Sequence, residues 1–391
     1  AGTEYFVNFN VTTVEKEPLI PIGHEIACDQ FRLPIESPKK AFKTSGPKLT
    51  VSTNGDNLSA SSSKVNFVFN RKTGIVTSYK VDGTEYFSEG FGIQPNFWRA
   101  PTDNDYGNGM PKRLQVWKES SKNFNVTDAT VTMDGNNAVV NVNYLLPAGN
   151  LYIVNYTIYP SGAVNVAARF TSTDMDAAQT EVSEATRTAT FTPGRDAARK
   201  EASKLNVPRI GVRFRLPASM NQVEYFGRGP AENYLDRNAG SMVGLYKSTA
   251  EELYFPYVRP QENGHHTDTR WVSLSTGKKG LLIQADNTIG FNALRNSIED
   301  FDDEEATGLP RQWSNFTPEQ VANHDEAAAK NVLRRQHHIN NITPRDFVEV
   351  CVDLKQQGVA GYDSWGSRPE PAYTLPANRE YNWGFTLIPL K

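Results

Sequence analysis

Residues that could bind a sugar or transfer a proton are concentrated in four stretches rich in glycine and proline: residues 97–109, 227–236, 254–266 and 363–366. Carboxylates and amides can bind hydroxyl groups, and His and Glu are common general acids and bases. Glycine and proline fix the backbone in turns, and short polar side chains bond to the neighbouring main chain. The stretches are therefore predicted to be loops, where binding sites are usually built.

The first stretch contains Asp103, Asn104 and Asp105, which could bind sugar hydroxyls or a cation. Gly107 and Gly109 follow, and glycines would allow this loop to move. The alternative is a loop whose Asx turns cap the edge of a strand. The sequence leaves both interpretations open.

The last two stretches carry aromatic and acid–base candidates. Trp365 lies in a turn rich in Gly and Ser. An exposed Trp there suits stacking on the apolar face of a sugar ring, and the alternative is a core Trp. Glu262, Asn263, His265 and His266 could supply acid–base groups. A His pair is, however, more often a structural hydrogen-bonding feature.

The rest of the chain predicts strands that would hold these loops, because apolar and polar residues alternate between turn signals. This pattern is typical of an antiparallel all-β fold. In one segment, residues 210–216, arginines alternate with apolar residues, which predicts a sheet face in water. The predicted strands are residues 5–11, 24–33, 65–69, 140–144, 152–159, 164–170, 210–216, 280–285, 347–354 and 381–388.

Two segments depart from the strand pattern. Thr317-Pro-Glu-Gln320 is a capping box with Pro at the first helical position, and it predicts a helix to about Arg335. The acidic run Glu299–Glu305 is predicted to be a solvated loop.

The composition excludes several classes of protein. A net charge of −3 in 391 residues gives no reason to expect nucleic acid or an anionic membrane as partner. No apolar run reaches the roughly 18 residues of a membrane helix. Cys28 and Cys351 have neither a disulfide framework's spacing nor that of metal ligands. We expect a soluble protein, and the compartment, bacterial cytoplasm or periplasm, stays open.

The chain divides into three predicted parts. Residues 1–35 hold two strands, too few for a stable domain, so we expect them to end a sandwich whose other strands lie upstream. Residues 36–46 are rich in Pro, Lys and Ser and are predicted to be a linker. Residues 47–391 form the large antiparallel domain.

The four loops resemble the C-terminal part of a glycoside hydrolase family 2 β-galactosidase, and the resemblance covers nearly the whole chain. Residues 1–35, with Gly23-His-Glu25, resemble the last strands of that enzyme's immunoglobulin-like fourth domain. Residues 47–391 resemble its small chain, a β-supersandwich similar to galactose mutarotase. The matching motifs, in the family's order and spacing, are Phe97–Asp105, Gly227–Arg237, Pro256–Gly264 and Asp363–Trp365.

The resemblance implies that the catalytic residues lie elsewhere. Such enzymes retain configuration with two Glu about 5 Å apart. In this family both lie on a TIM barrel of roughly 250 residues, and this sequence lacks the strand–helix alternation of a barrel. The catalytic carboxylates are therefore expected upstream of residue 1, with most ligands of the family's Mg²⁺ and Na⁺. No catalytic residue, metal ligand or cofactor is assigned to this chain, which alone is expected to be inactive.

By the same resemblance this chain supplies a wall of the sugar site. Trp365 matches a small-chain tryptophan that lies against bound sugar, and Asp103 and Asn104 belong to a segment lining the same cleft. The expected partners are a β-galactoside and the upstream domains of the same polypeptide, and a homo-oligomeric parent stays open. The residues predicted to shape the loops are Gly107, Arg228, Glu232, Asn233, Glu262, Asn263 and His265. Of these, Gly107 also lies in a segment proposed as a gate.

Two other functions remain as alternatives. The mutarotase fold can epimerise aldoses with a His acid and a Glu base, for which His265 and Glu262 are candidates. Neither matches a mutarotase position. A carbohydrate-binding module using Trp365 is the second alternative, and the truncated sandwich at residues 1–35 argues against it.

Overall fold

A computed structural model describes residues 3–35, 41–172, 205–302, 338–363 and 366–391. The predicted helix at residues 317–335 and the side chain of Trp365 lie outside these ranges. Within them the strands are β1 (Phe6–Thr12), β2 (Glu25–Arg32), β3 (Thr50–Asn54), β4 (Asn57–Ser61), β5 (Val65–Asn70), β6 (Ile75–Val81), β7 (Thr84–Glu85), β8 (Gln94–Asn96), β9 (Asn125–Asp134), β10 (Asn137–Leu145), β11 (Leu151–Ile158), β12 (Val164–Thr171), β13 (Arg209–Pro217), β14 (Gln222–Gly229), β15 (Met242–Thr249), β16 (His266–Ser275), β17 (Gly280–Leu294), β18 (Phe347–Gln356) and β19 (Tyr381–Leu390).

Helical segments in the same ranges are short. The α-helices are α1 (Asp103–Gly107), α2 (Met110–Arg113), α3 (Gln115–Lys122) and α4 (Ile298–Phe301). Single 3₁₀ turns lie at Ser88–Gly90, Ile339–Asn341 and Pro371–Tyr373.

The all-β fold class is confirmed, and the alternation that predicted it explains the strands. Every predicted strand segment coincides with one of these strands. In β5 the side chains of Val65, Phe67 and Phe69 are buried, while the residues between them are partly exposed. All strand pairs within the described ranges are antiparallel.

Two of the sheets pack face to face around the core. The larger has the order β15-β14-β16-β17-β19-β12-β11-β10-β9, with β18 also pairing with β17 and β13 joining β18 to β8. The smaller has the order β3-β4-β5-β6-β7. Phe67 of the small sheet contacts Tyr156 of the large one, with ring centroids 5.6 Å apart. The Tyr79 hydroxyl donates to the Gly162 carbonyl at 2.5 Å and joins the same two layers.

The strands β1 and β2 form a separate two-stranded sheet. The Gln30 side chain links it to β15, donating to the Val243 carbonyl at 2.9 Å and accepting from the Val243 N–H at 2.8 Å. The alternation of apolar and polar residues over positions 5–11 predicts a half-buried strand, and this is wrong for the described chain, since all residues of β1 after Phe6 are exposed. The division into residues 1–35, 36–46 and 47–391 stays a prediction.

Two predictions of solvent exposure are wrong. Arg213 on β13 was expected in water but is buried, because β13 lies between β8 and β18 and its guanidinium pairs with Glu349 and Glu299. The described start of the acidic run, Glu299–Asp302, begins in α4, in which Asp300 is buried and completes a capping box with Ser297, whereas residues 303–305 lie outside the described ranges. Carboxylates of this run therefore serve as caps and ion-pair partners.

Candidate functional site

The segment that carries Asp103 and Asn104 folds into helices α1 and α2, where an open loop was expected. Thr102 Oγ1 accepts a hydrogen bond from the Asp105 N–H at 3.1 Å, and Asp105 Oδ2 accepts one from the Thr102 N–H at 3.1 Å. This reciprocal capping satisfies backbone donors in the first turn. The Asp105 carboxylate is buried, so it holds the helix and does not face a ligand.

Arg99 is fully buried and joins α1 to the end of β18. Its guanidinium donates to both carboxylate oxygens of Asp105, at 3.0 and 2.9 Å. It also donates to Gln356 Oε1 at 3.1 Å and to the carbonyls of Gln357 and Gly358 at 2.7 and 3.0 Å. A buried charge is stable only when it is paired and hydrogen-bonded in this way.

The two predicted sugar contacts differ in accessibility. The Asp103 side chain is 61% exposed, with Arg259 Nη1 at 3.7 Å and Gln261 Nε2 donating to it at 3.3 Å. The Asn104 side chain is partly buried and donates to the Val359 carbonyl at 3.4 Å. Asp103 is therefore open to a ligand, whereas Asn104 also holds the segment after β18.

The C-terminal end of α1 contacts the backbone that follows Trp365. A Cβ placed on Gly366 would lie 2.6 Å from the carbonyl carbon and oxygen of Gly107, and Gly366 has φ +87°. Asn108 Nδ2 donates to the Ser367 carbonyl at 3.4 Å. Only glycine fits at position 366, so the first and fourth predicted loops are neighbours in the fold.

Glu232 joins the second and third predicted loops. Its carboxylate accepts hydrogen bonds from the Gly264 N–H at 2.7 Å and from the Tyr257 hydroxyl, and Arg237 Nη2 lies 3.3 Å away. Burial raises the pKa of Glu232 above its usual value, although these partners oppose the shift. The contacts suit the loop-shaping role predicted for this residue.

Asn233 and Arg228 hold the same turn. Asn233 Oδ1 accepts from the backbone N–H and the hydroxyl of Thr267, at 3.0 and 2.6 Å. Its amide donates to the carbonyls of Arg228 and Ala231 at 3.2 and 3.1 Å. The Arg228 guanidinium pairs with Asp268 at 2.6 Å. A short amide that satisfies four backbone or hydroxyl groups fixes a turn without regular structure.

Glu262 and Asn263 lie at one end of a buried polar network. Arg209 Nη2 donates to Glu262 Oε1 at 2.7 Å and to Asn292 Oδ1 at 3.0 Å. Gln356 Nε2 donates to the same Glu262 oxygen at 2.9 Å. The Asn263 carbonyl accepts from Asn292 Nδ2 at 2.8 Å. Because Gln356 also binds Arg99, the network runs without a break from α1 to the start of β16.

His265 and Asp353 complete this network. The Nδ1 of His265 lies 2.9 Å from Asn292 Oδ1, and burial together with Arg209 lowers the pKa of His265 well below its usual value. Asp353 Oδ2 lies 3.1 Å from Arg209 Nε without hydrogen-bond geometry. Burial raises the pKa of Asp353 to about 7, with Arg209 opposing the shift. Because its pKa is so low, His265 is neutral, and its Nδ1 donates to Asn292 Oδ1.

Glu262 and His265 are poorly placed for acid–base catalysis on a sugar. Their side chains are 4% and 1% exposed. The cavity beside Glu262 measures about 20 Å³, which is room for one water molecule. A general base must reach the proton it removes in a plausible substrate pose. The geometry suits structural roles for both residues and gives the epimerase alternative no support.

The family is decided by the sequence match. The family described as β-galactosidase small chain matches residues 61–387, which includes all four predicted loops. The chain belongs to the β-galactosidase small-chain family.

Individual relatives extend this match beyond the small-chain region. A β-galactosidase of Priestia megaterium is 31% identical over 371 residues, covering 94% of this chain and 30% of that protein. The β-galactosidase of Streptococcus thermophilus is 26% identical and covers 95% of this chain and 30% of that protein. The β-galactosidase small subunit of Latilactobacillus sakei is 27% identical and covers 82% of this chain and 92% of that subunit. The chain thus spans about a third of the long relatives.

Among solved structures, galactose 1-epimerase from Lactobacillus acidophilus NCFM is similar, with a TM-score of 0.41 and 8% identity. The alignment covers 88% of this chain and 98% of that chain.

The buried network of this small-chain protein was missed by sequence reasoning. Arg99, Arg209 and Gln356 are separated by over a hundred residues in sequence, and only the pairing of β13 with β18 brings the last two together. Asp353 gave a weak signal, because it is one of two carboxylates among the apolar residues of β18. The predicted site residues otherwise fall into a connected region, with Trp365 outside the described residues.

The described part of the small-chain protein offers no metal cluster: no group of three or more His, Cys, Asp or Glu is placed to hold an ion. Both cysteines, Cys28 and Cys351, are free thiols. Among the helices in the described ranges, none has the length and apolar character needed to cross a bilayer.

Proposed function

We propose that this chain is the small-chain part of a larger β-galactosidase and forms a wall of its sugar-binding site. The observation that carries the proposal is the family match over residues 61–387, in a chain that spans 30% of a β-galactosidase 31% identical to it. The remainder of such a protein would supply the two catalytic Glu and the metal ligands.

In this proposal Trp365 stacks on the sugar and Asp103 binds its hydroxyls. Asp103 has an exposed carboxylate, and its helix contacts the backbone just after Trp365. Asn104 adds a polar edge and Gly107 the contact with the neighbouring loop. Glu232, Asn233, Glu262, Asn263, His265 and Arg228 hold the loops in place.

Hydrolysis of a chromogenic β-galactoside tests the proposal. We expect no turnover by the chain alone, and turnover after mixing with a fragment that carries the upstream barrel. Turnover by the chain alone would place catalytic carboxylates within it and contradict the proposal.

The substitution Trp365→Ala separates a sugar-contacting wall from a merely structural one. With the mixed fragments we expect KM to rise about tenfold, since an aromatic stacking contact contributes about 1 kcal/mol or somewhat more. Leu245→Ala, which removes an exposed apolar side chain on β15, is the control and should leave KM unchanged. Equal kinetics for both variants would exclude Trp365 from the sugar site.

A further inference from the structure

Two arginines converge on a cavity of about 300 Å³ beside α2. Arg113 comes from the end of α2, and Arg368 from the segment after β18. Asn108, Asn206 and Thr374 add polar groups to the lining, and Pro369 adds an apolar surface. A volume of this size lies at the lower end of small-molecule binding pockets.

The positive charge of this cavity is not neutralised by the described residues. Neither Arg113 nor Arg368 forms a salt bridge within the described ranges. Asp105 also lines the cavity, but both its oxygens are bound by Arg99. Burial, together with the charge of Arg368, lowers the pKa of Arg113.

Arg113 also has an unused donor. Its Nη2 donates to Asn108 Oδ1 at 3.1 Å, whereas its buried Nε–H has no hydrogen-bond partner among the described residues. An unsatisfied buried donor costs free energy, and a ligand oxygen would remove that cost. Paired guanidinium groups are suited to carboxylate and phosphate, which they can bind through two parallel hydrogen bonds.

We propose that the cavity between Arg113 and Arg368 binds a small hydroxylated anion, a sugar-sized polyol that carries a carboxylate or a phosphate. The two guanidinium groups bind the oxyanion. Amide and hydroxyl groups of Asn108, Asn206 and Thr374 bind the ligand hydroxyls, and Pro369 packs against its carbon skeleton. Asp103 does not line this cavity, and binding there requires no hydrolysis.

Calorimetric titration of the 391-residue chain with galacturonate, galactose 6-phosphate and galactose tests this site. We expect at least one of the two anions to bind about tenfold or more tightly than galactose, because a hydrogen bond to a charged group is lost in the neutral sugar. The two anions distinguish a carboxylate ligand from a phosphate ligand. Absence of saturable binding by both, or equal binding of galactose, would overturn the proposal.

Two substitutions locate the binding. Arg368→Gln alters an exposed side chain and should leave the fold intact, yet raise the Kd of the anion about tenfold. Lys112→Gln removes a neighbouring exposed charge on α2 that does not line the cavity, and should change the Kd little. Equal weakening by both variants would mean diffuse attraction and no cavity site. Because binding is measured without turnover, this result is independent of β-galactosidase activity.

Discussion

At the scale of single residues, the candidate site depends on buried charges, of which Arg99 and Asp105 are fully paired. Taking an arginine or a carboxylate out of water is costly unless partners satisfy its hydrogen bonds. Arg99 has five such bonds, to Asp105, Gln356 and two backbone carbonyls. These charges hold α1 against the end of β18, and removal of one partner leaves the others uncompensated.

The substitution Arg99→Met should destabilise the protein strongly. Loss of one partner of a buried pair costs about 3–5 kcal/mol, because the Asp105 charge stays buried. Arg71→Met is the matched control, since Arg71 pairs with Asp56 at 3.6 Å with both side chains about half exposed. A solvent-exposed pair contributes about 1 kcal/mol or less. Urea unfolding monitored by circular dichroism measures the loss of unfolding free energy in each variant. An equally small loss in Arg99→Met and Arg71→Met would contradict the role given to Arg99.

The carboxyl of Asp353 should make stability depend on pH. Its pKa is about 7 in the folded protein and 3.8 in the absence of burial. Between these values the folded state binds more protons than the unfolded state, so this contribution to stability is lost as the pH rises through the window. In Asp353→Asn the contribution is absent, while Arg209, Glu262 and His265 remain.

We therefore expect the unfolding free energy of the wild type, minus that of Asp353→Asn, to fall from about pH 4 to about pH 7. Urea titrations of both proteins at several pH values measure the difference. A difference that stays constant, or that grows with pH, would show that Asp353 is ionised in the folded protein throughout this range.

At the scale of elements, strands were predictable and connections were not. The strand β5 follows from local alternation, which needs only neighbours in sequence. The burial of one face of β13 could not be predicted from local alternation. Arg213 on that face is buried because it pairs with carboxylates that lie more than eighty residues away in sequence. Helix α1 was missed because its capping box, Thr102 with Asp105, is followed by a glycine within the same turn, and both interpretations of this segment were loops.

The contact between Gly107 and Gly366 joins two elements, and it can be tested by adding a single methyl group at Gly366. Gly366→Ala combines a positive φ with a Cβ 2.6 Å from the Gly107 carbonyl, so the loop should separate from α1. Gly83→Ala shares the positive φ, +77°, but meets nothing within 4 Å. We expect faster amide hydrogen exchange in Asp103–Asn108 for the first variant only. Equal exchange in both variants would mean that this contact does not order α1.

At the scale of the whole molecule, the two-stranded sheet of β1 and β2 leaves apolar side chains that the described chain does not cover. Phe9 and Phe31 form an edge-to-face pair 5.8 Å apart, yet are 56% and 54% exposed. Exposed apolar surfaces of this kind mark sites of interaction or association. In the proposed function the rest of the larger β-galactosidase covers them, next to the strand edges of β1 and β2.

The chain alone should therefore self-associate through this sheet, because strand edges and apolar side chains are exposed together. The double variant Phe9→Ser with Phe31→Ser should shift sedimentation velocity profiles toward the monomer. It should also weaken recovery of activity when the chain is mixed with the upstream fragment. The control is Val14→Ser with Leu19→Ser, which are 84% and 102% exposed in the turn between the strands. If both double variants behave alike, or if the unmodified chain is monomeric at every concentration, the sheet face is not the surface that contacts the remainder of the enzyme.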